Sequence, residues 1–151
     1  MTKFGVRVGS FLVRLTLRRR VKTIYTIVFL MDPQGRFALL RRSHLGKGQH
    51  LDGKVSPVGG KVEGRDGNIF LAAAREALEE TGLKPSKLVL RGVVFIDSPP
   101  AALCYLVGLV PSFADAVKAG REGAILVGTL EEILLAQEVA PNLPLVLKIL
   151  A

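Results

Sequence analysis

Apolar residues recur along this chain with two different periods, and the change of period marks out its elements. Thr23–Met31 (TIYTIVFLM) is a β-branched apolar run and residues 36–41 (RFALLR) are a second, separated by the turn residues Pro33, Gln34 and Gly35. Residues 88–96 and 102–110 read as another hairpin about Asp97, Ser98, Pro99 and Pro100. Between the two hairpins the spacing becomes helical. Ile69, Phe70, Ala73, Ala74, Ala77 and Leu78 form an apolar stripe in the helix-favouring run LAAAREALEE, which follows the turn-like GRDGN and stops at Gly82. Thr129 with Glu132 is a capping-box signature for a helix through about residue 137. A final apolar helix over residues 143–150 would start from Asn142 as its cap, with Pro144 in the first turn. Strands on both sides of one central helix, with further helix near the C-terminus, predict a layered α/β domain.

Upstream of this domain the pattern is different. Phe11, Val13, Leu15 and Leu17 alternate with Leu12, Arg14, Thr16 and Arg18, which suggests a half-buried strand. The formal net charge of +8 is concentrated here, since residues 1–22 hold Lys3, Arg7, Arg14, Arg18, Arg19, Arg20 and Lys22 and no acid. We read residues 1–21 as a basic arm or added strand and residues 22–151 as the domain. Packing of the arm is the favoured reading, and a nucleic-acid tail is the alternative. Arg7, Arg14 and Arg18 interrupt the apolar run before a signal-peptide core forms, and no stretch reaches transmembrane length. The single cysteine, Cys104, excludes an intrachain disulfide framework, while His44 and His50 are too few and badly spaced for a metal cluster. A cytoplasmic location is expected. With 151 residues, 49% of them hydrophobic, the chain is long enough for one domain with its own core.

The chemistry concentrates on the central helix. Glu76, Glu79 and Glu80 stand at i, i+3 and i+4, so the three carboxylates project from one face within a turn. Like charges this close oppose the helix, and a hard divalent cation with oxygen ligands relieves them. Arg75, four residues before Glu79, can pair with it. Just upstream, Gly59 and Gly60 allow the backbone a close approach to a metal or phosphate.

These residues carry a resemblance. The stretch GGKVEGRDGNIFLAAAREALEETGL resembles the Nudix box, G-x(5)-E-x(7)-R-E-U-x-E-E-x-G-U with U aliphatic. Arg75, Glu76, Glu79, Glu80, Gly82 and Leu83 fall on motif positions, with Ala77 at the first aliphatic place. The front half is one residue longer than the pattern, and the mid-box Glu is replaced by Asp66 or Gly67. The resemblance implies an α/β/α sandwich around a mixed central sheet. It also implies metal-dependent hydrolysis of a diphosphate linkage in a nucleoside diphosphate derivative, with Mg²⁺, or alternatively Mn²⁺, as the cofactor. Arg75, Glu76, Glu79 and Glu80 would be the catalytic set. Glu76, Glu79, Glu80, the Gly59 carbonyl and the more remote Glu122 would be the metal ligands, and either Glu79 or Glu80 would take the proton of the attacking water. Arg41, Arg42 and Lys61 are the candidate phosphate contacts. Within the family the 8-oxo-dGTP diphosphatase type is nearest, on Tyr25-Thr26-Ile27-Val28, the pair Arg41-Arg42, the GGKV run and Val94-Phe95. That type would place a base near Thr26 and Ser56, with Asn142 reading its edge, and would turn an oxidised nucleoside triphosphate into monophosphate and pyrophosphate. Pro99 and Pro100 instead resemble the ADP-ribose pyrophosphatase subgroup, which keeps ADP-ribose or a nucleotide sugar as an alternative. A catalytically idle module that holds RNA through the basic arm is a third reading.

Overall fold

The computed structural model describes residues 21–43, 53–116, 119–120 and 123–136 and the single positions 139, 143 and 146. Residues 1–20, His44, His50, Glu122 and Asn142 lie outside the described residues, and with them the expected arm, the remote acid and the last helix cap.

Eight strands form one sheet among the described residues. They are β1 (Thr23–Met31), β2 (Phe37–Arg42), β3 (Val55–Ser56), β4 (Val58–Lys61), β5 (Lys87–Asp97), β6 (Pro100–Leu109), β7 (Ala119–Gly120) and β8 (Gly123–Gly128). The main path runs β5-β6-β1-β2-β8-β7, with β3 paired to β2 and β4 to β1. Both expected hairpins are present. The first is tightened by Asp32, whose carboxylate accepts the backbone N–H of Gln34 and of Arg36 at 3.0 and 2.9 Å and pairs with the Arg36 guanidinium at 2.7 Å. β1 meets β2 at only two register positions, Leu30 with Ala38 and Met31 with Phe37, because its other residues pair with β4 on that side. On its opposite edge β1 runs parallel to β6 over its whole length. A parallel pair cannot be closed by a tight turn, and the connection here includes the helix α1 (Ile69–Thr81).

Alternation along the central strands divides the core in two. Val28, Leu30, Ala38, Leu40, Cys104 and Leu106 face one layer, where Ala73 and Ala77 of α1 pack on them. Phe29, Leu39 and Tyr105 face the other, with Ile133 of α2 (Leu130–Ala136), Leu143 and Val146. Strands covered on both faces account for the unbroken apolar runs in β1 and β2. The architecture is the expected mixed sheet between helical layers. Thr129 and Glu132 form the expected capping box at α2, with bonds of 2.7 and 3.2 Å.

The apolar stripe of α1 differs from expectation. The buried positions are Ala72, Ala73, Ala77 and Thr81, while Phe70 and Leu78 are 42% and 51% exposed. The helix turns its alanines toward β4 and β1, and at 100° per residue Glu76 and Glu80 share that inward face. Small residues at the contact thus let the helix lie close enough for two carboxylates to reach the sheet. Asn68 caps the start by accepting the Leu71 N–H at 2.9 Å, and Gly82, at φ +73°, ends the helix with its N–H on the Leu78 carbonyl. Among the described residues no helix is long and apolar enough to cross a membrane.

Candidate active site

The site is assembled where α1 crosses β4. Gly59 lies opposite Ile27 and Gly60 opposite Thr26 in the β4–β1 ladder. At φ +150° Gly59 adopts a backbone that side chains disfavour, and a Cβ there would collide with the Thr26 carbonyl oxygen. At Gly60 the space a Cβ would need is filled by the carboxylate of Glu76. The Gly59 N–H donates to Glu80 Oε2 at 3.1 Å. Two carboxylates of α1 are therefore drawn onto a strand that glycine keeps bare.

Glu80 is the more enclosed of the two. Its side chain is 8% exposed, and Arg42 Nη1 donates to its Oε1 at 2.9 Å. Arg42 is fixed in turn: Nε donates to Ser56 Oγ at 2.9 Å and Nη2 to the Pro57 carbonyl at 3.1 Å. Burial raises the Glu80 carboxyl above its ordinary value, with Arg42 and the Gly59 N–H pulling the other way. Arg75 organises the rest. It grips Asp66 with Nε and Nη2 at 2.7 and 2.9 Å, and its Nη1 reaches Glu76 at 2.7 Å and Glu79 at 3.2 Å. The expected Arg75–Glu79 pair is present as one part of this network. Hydrogen bonds from Arg75 and from the Glu63 backbone lower the Asp66 carboxyl to about 2. Of the two positions left open for the missing mid-box Glu, Asp66 holds the arginine, and Gly67 at φ +79° turns the chain after it. Glu79 is 53% exposed.

On the other face of the sheet, a cavity of about 520 Å³ is bordered by Gly59, Gly60, Arg42 and Ser56 and by an apolar wall from β1, β5 and β6. Of the expected substrate contacts, Thr26, Arg42 and Ser56 come together here, whereas Arg41 and Lys61 are exposed and do not border it. The structure gives Thr26 and Ser56 other partners than a base. Thr26 is buried with its hydroxyl donating to the Gly60 carbonyl at 3.4 Å, and Ser56 spends its hydroxyl on Arg42 and on the Pro57 carbonyl at 3.3 Å. Sequence reasoning missed the wall itself. Its only signal was the alternation that puts Tyr25, Ile27 and Phe29 on one face of β1, and Leu103 and Tyr105 join it only through the β1–β6 pairing.

The NUDIX domain family model matches residues 21–114, and the chain belongs to the Nudix family. It is a hydrolase of nucleoside diphosphate derivatives, the class of reaction that family performs. No curated protein sequence matches the chain. Among solved structures, the mutator MutT protein from Bacillus halodurans is similar with a TM-score of 0.64 at 21% identity, covering 83% of this chain and 80% of that one. The MutT protein from Methanosarcina mazei has a TM-score of 0.60 at 26% identity over 81% of this chain and 87% of that one. The NUDIX domain of Shewanella oneidensis NrtR, complexed with ADP ribose, has a TM-score of 0.66 at 14% identity over 95% and 97%. These likenesses establish the shared fold.

Nudix hydrolases generally use divalent metal ions, and the donors at this site can be judged on their own chemistry. Among the described residues no three His, Cys, Asp or Glu side chains are gathered as a ready ion cage. Arg75 engages Glu76 and Glu79, and Arg42 engages Glu80. The donor set nevertheless fits a hard cation, because the oxygens of Glu76 and Glu80 converge on one bare stretch of backbone, at Gly59 and Gly60.

Proposed function

We propose that this Nudix hydrolase cleaves a nucleoside triphosphate, with an oxidised purine as the leading candidate base, to the monophosphate and pyrophosphate. One observation carries the reading. The apolar-walled cavity and the carboxylates of α1 share Gly59 and Gly60, so a base in the cavity would leave its phosphates beside Glu76, Glu79 and Glu80.

Glu76 and Glu80, with the Gly59 carbonyl and Glu122 as further ligands, would hold Mg²⁺ or Mn²⁺, which when bound neutralises phosphate oxygen charge and orients a water. Arg75 keeps Glu76 and Glu79 in place while Asp66 anchors the arginine from behind. Both oxygens of Glu80 are engaged, one by Arg42 and one by the Gly59 N–H, so Glu80 is held as a ligand. Glu79 is half exposed and meets Arg75 through one oxygen, with Arg65 4.0 Å from the other, which supports Glu79 as acceptor of the water proton. The water oxygen forms a bond to phosphorus, the bridging P–O bond breaks, and pyrophosphate departs with the electron pair. Arg41 and Lys61, exposed on flanking strands, supply cations for the leaving phosphates, and Asn142 is assigned to the base.

A release assay over 8-oxo-dGTP, the four unmodified triphosphates, ADP-ribose, dinucleoside polyphosphates and 5′-triphosphate RNA tests this. Preferred turnover of a triphosphate with pyrophosphate as product supports it, and turnover of ADP-ribose alone replaces it. ADP-ribose stands second because the NrtR domain complexed with ADP ribose shares this fold over nearly its whole length. An idle RNA-binding module is disfavoured by three glutamates that need not persist without chemistry.

A further inference from the structure

Three buried polar side chains among the described residues border the cavity: Thr26, Ser56 and Tyr105. The first two are committed, Thr26 to the Gly60 carbonyl and Ser56 to Arg42 and Pro57. Tyr105 is different. It is only 7% exposed, yet its hydroxyl has no hydrogen-bond partner among the described residues. Buried tyrosine hydroxyls normally find one, so a group left unpaired at the wall of a cavity points to a ligand.

The surroundings leave room for that ligand. Directly across the β5–β6 ladder from Tyr105 stands Gly92, and a Cβ built there would meet no atom within 4 Å. The ladder shifts register between Leu90 and Gly92, and the missing side chain leaves that position of β5 open. The cavity residues Ile27, Ile96 and Leu103 are apolar and offer contact without competing hydrogen bonds. Burial pushes the phenol above its ordinary value, so it is a neutral group able both to donate and to accept.

We propose that Tyr105 is a specificity-determining residue, its hydroxyl hydrogen-bonding the edge of a nucleobase seated in the cavity that Tyr105 lines. The inference rests on the reading of the cavity as the nucleotide site. A site with one hydroxyl aimed at the base discriminates among bases by whether that hydroxyl is satisfied.

Tyr105→Phe tests it, because the ring stays and one oxygen goes. Calorimetric titration with dGMP, 8-oxo-dGMP, dAMP, dCMP and dTMP is compared between wild type and variant, alongside hydrolysis of the matching triphosphates. The inference expects the tightest wild-type ligand to weaken on the order of tenfold, the loss of one neutral hydrogen bond, and the others to change less than about twofold. It expects kcat to hold while KM follows the affinity, and the melting temperature not to fall. Unchanged preferences, or an equal loss for every base, overturn it. The two readings fail separately. Wild-type hydrolysis with Tyr105→Phe preferences intact removes only the role of Tyr105. Base discrimination lost in Tyr105→Phe, by a wild type that hydrolyses none of the triphosphates, removes only the proposed reaction.

Discussion

Arg75 connects to Asp66, Glu76 and Glu79 at once, and the account at the residue scale turns on that network. Asp66 is the member whose replacement is most informative. Its carboxyl is lowered to about 2 from an ordinary 3.8, chiefly by hydrogen bonds from Arg75. A lowered folded-state value gives stability that is full above the ordinary value and is lost as pH falls toward 2. Asp66→Asn should therefore melt below wild type at pH 7, and the gap should close between about pH 4 and pH 2. Thermal melts across that range check it, and a gap independent of pH would mean the Arg75–Asp66 pair does not stabilise the loop. The tail of the box, from Arg75 to Leu83, was legible in the sequence because each residue sits at fixed helical spacing from the next. Asp66 was legible only as one of two choices, since the extra residue in the preceding loop hides the register until the Gly64–Asp66 turn is seen. The partners of Arg42 were not legible. A basic pair after a strand says nothing about which arginine turns inward, and the inward one spends itself on Ser56, Pro57 and Glu80.

At the scale of elements, the contact between α1 and β4 decides whether the site exists. The two glycines of β4 should respond differently to alanine. Gly59→Ala meets backbone at a positive φ and cannot relax, so it should cost more than about 2 kcal/mol of stability. Gly60→Ala meets the end of a side chain, the Glu76 carboxylate, which can move aside. It should leave melting nearly unchanged and lower turnover by displacing that carboxylate. Parallel losses of stability in the two variants would contradict this division. The sequence showed the helix through the turn-like GRDGN before it, the alanine run and the stop at Gly82, while the cap by Asn68 emerged only in the structure. The sequence placed Ala73 and Ala77 correctly but drew Phe70 and Leu78 into the stripe because they look like core residues by type, whereas the close helix–sheet contact is made by the small residues Ala72, Ala73, Ala77 and Thr81.

For the whole molecule, the hairpins are local and could be read from turns, but the parallel pairing of β1 with β6 joins residues some 80 positions apart and leaves no local signature. The cavity depends on that pairing, which is why its wall could not be read beforehand. The basic arm poses a separate question at this scale. If it packs on the domain, as the alternation at Phe11, Val13, Leu15 and Leu17 suggests, deleting residues 1–20 should lower solubility or the melting temperature while the hydrolytic chemistry persists. Unchanged melting together with loss of a steeply salt-dependent RNA affinity would favour a nucleic-acid tail instead. The central claim is that the carboxylates of α1 carry a metal-assisted cleavage of a nucleoside diphosphate derivative, and substrate turnover by wild type and Glu80→Gln in the presence of Mg²⁺ tests it most directly. The account predicts release of pyrophosphate or phosphate by the wild type and a drop of about a hundredfold or more in a folded Glu80→Gln. Equal rates in the two proteins, at equal melting temperatures, would contradict it.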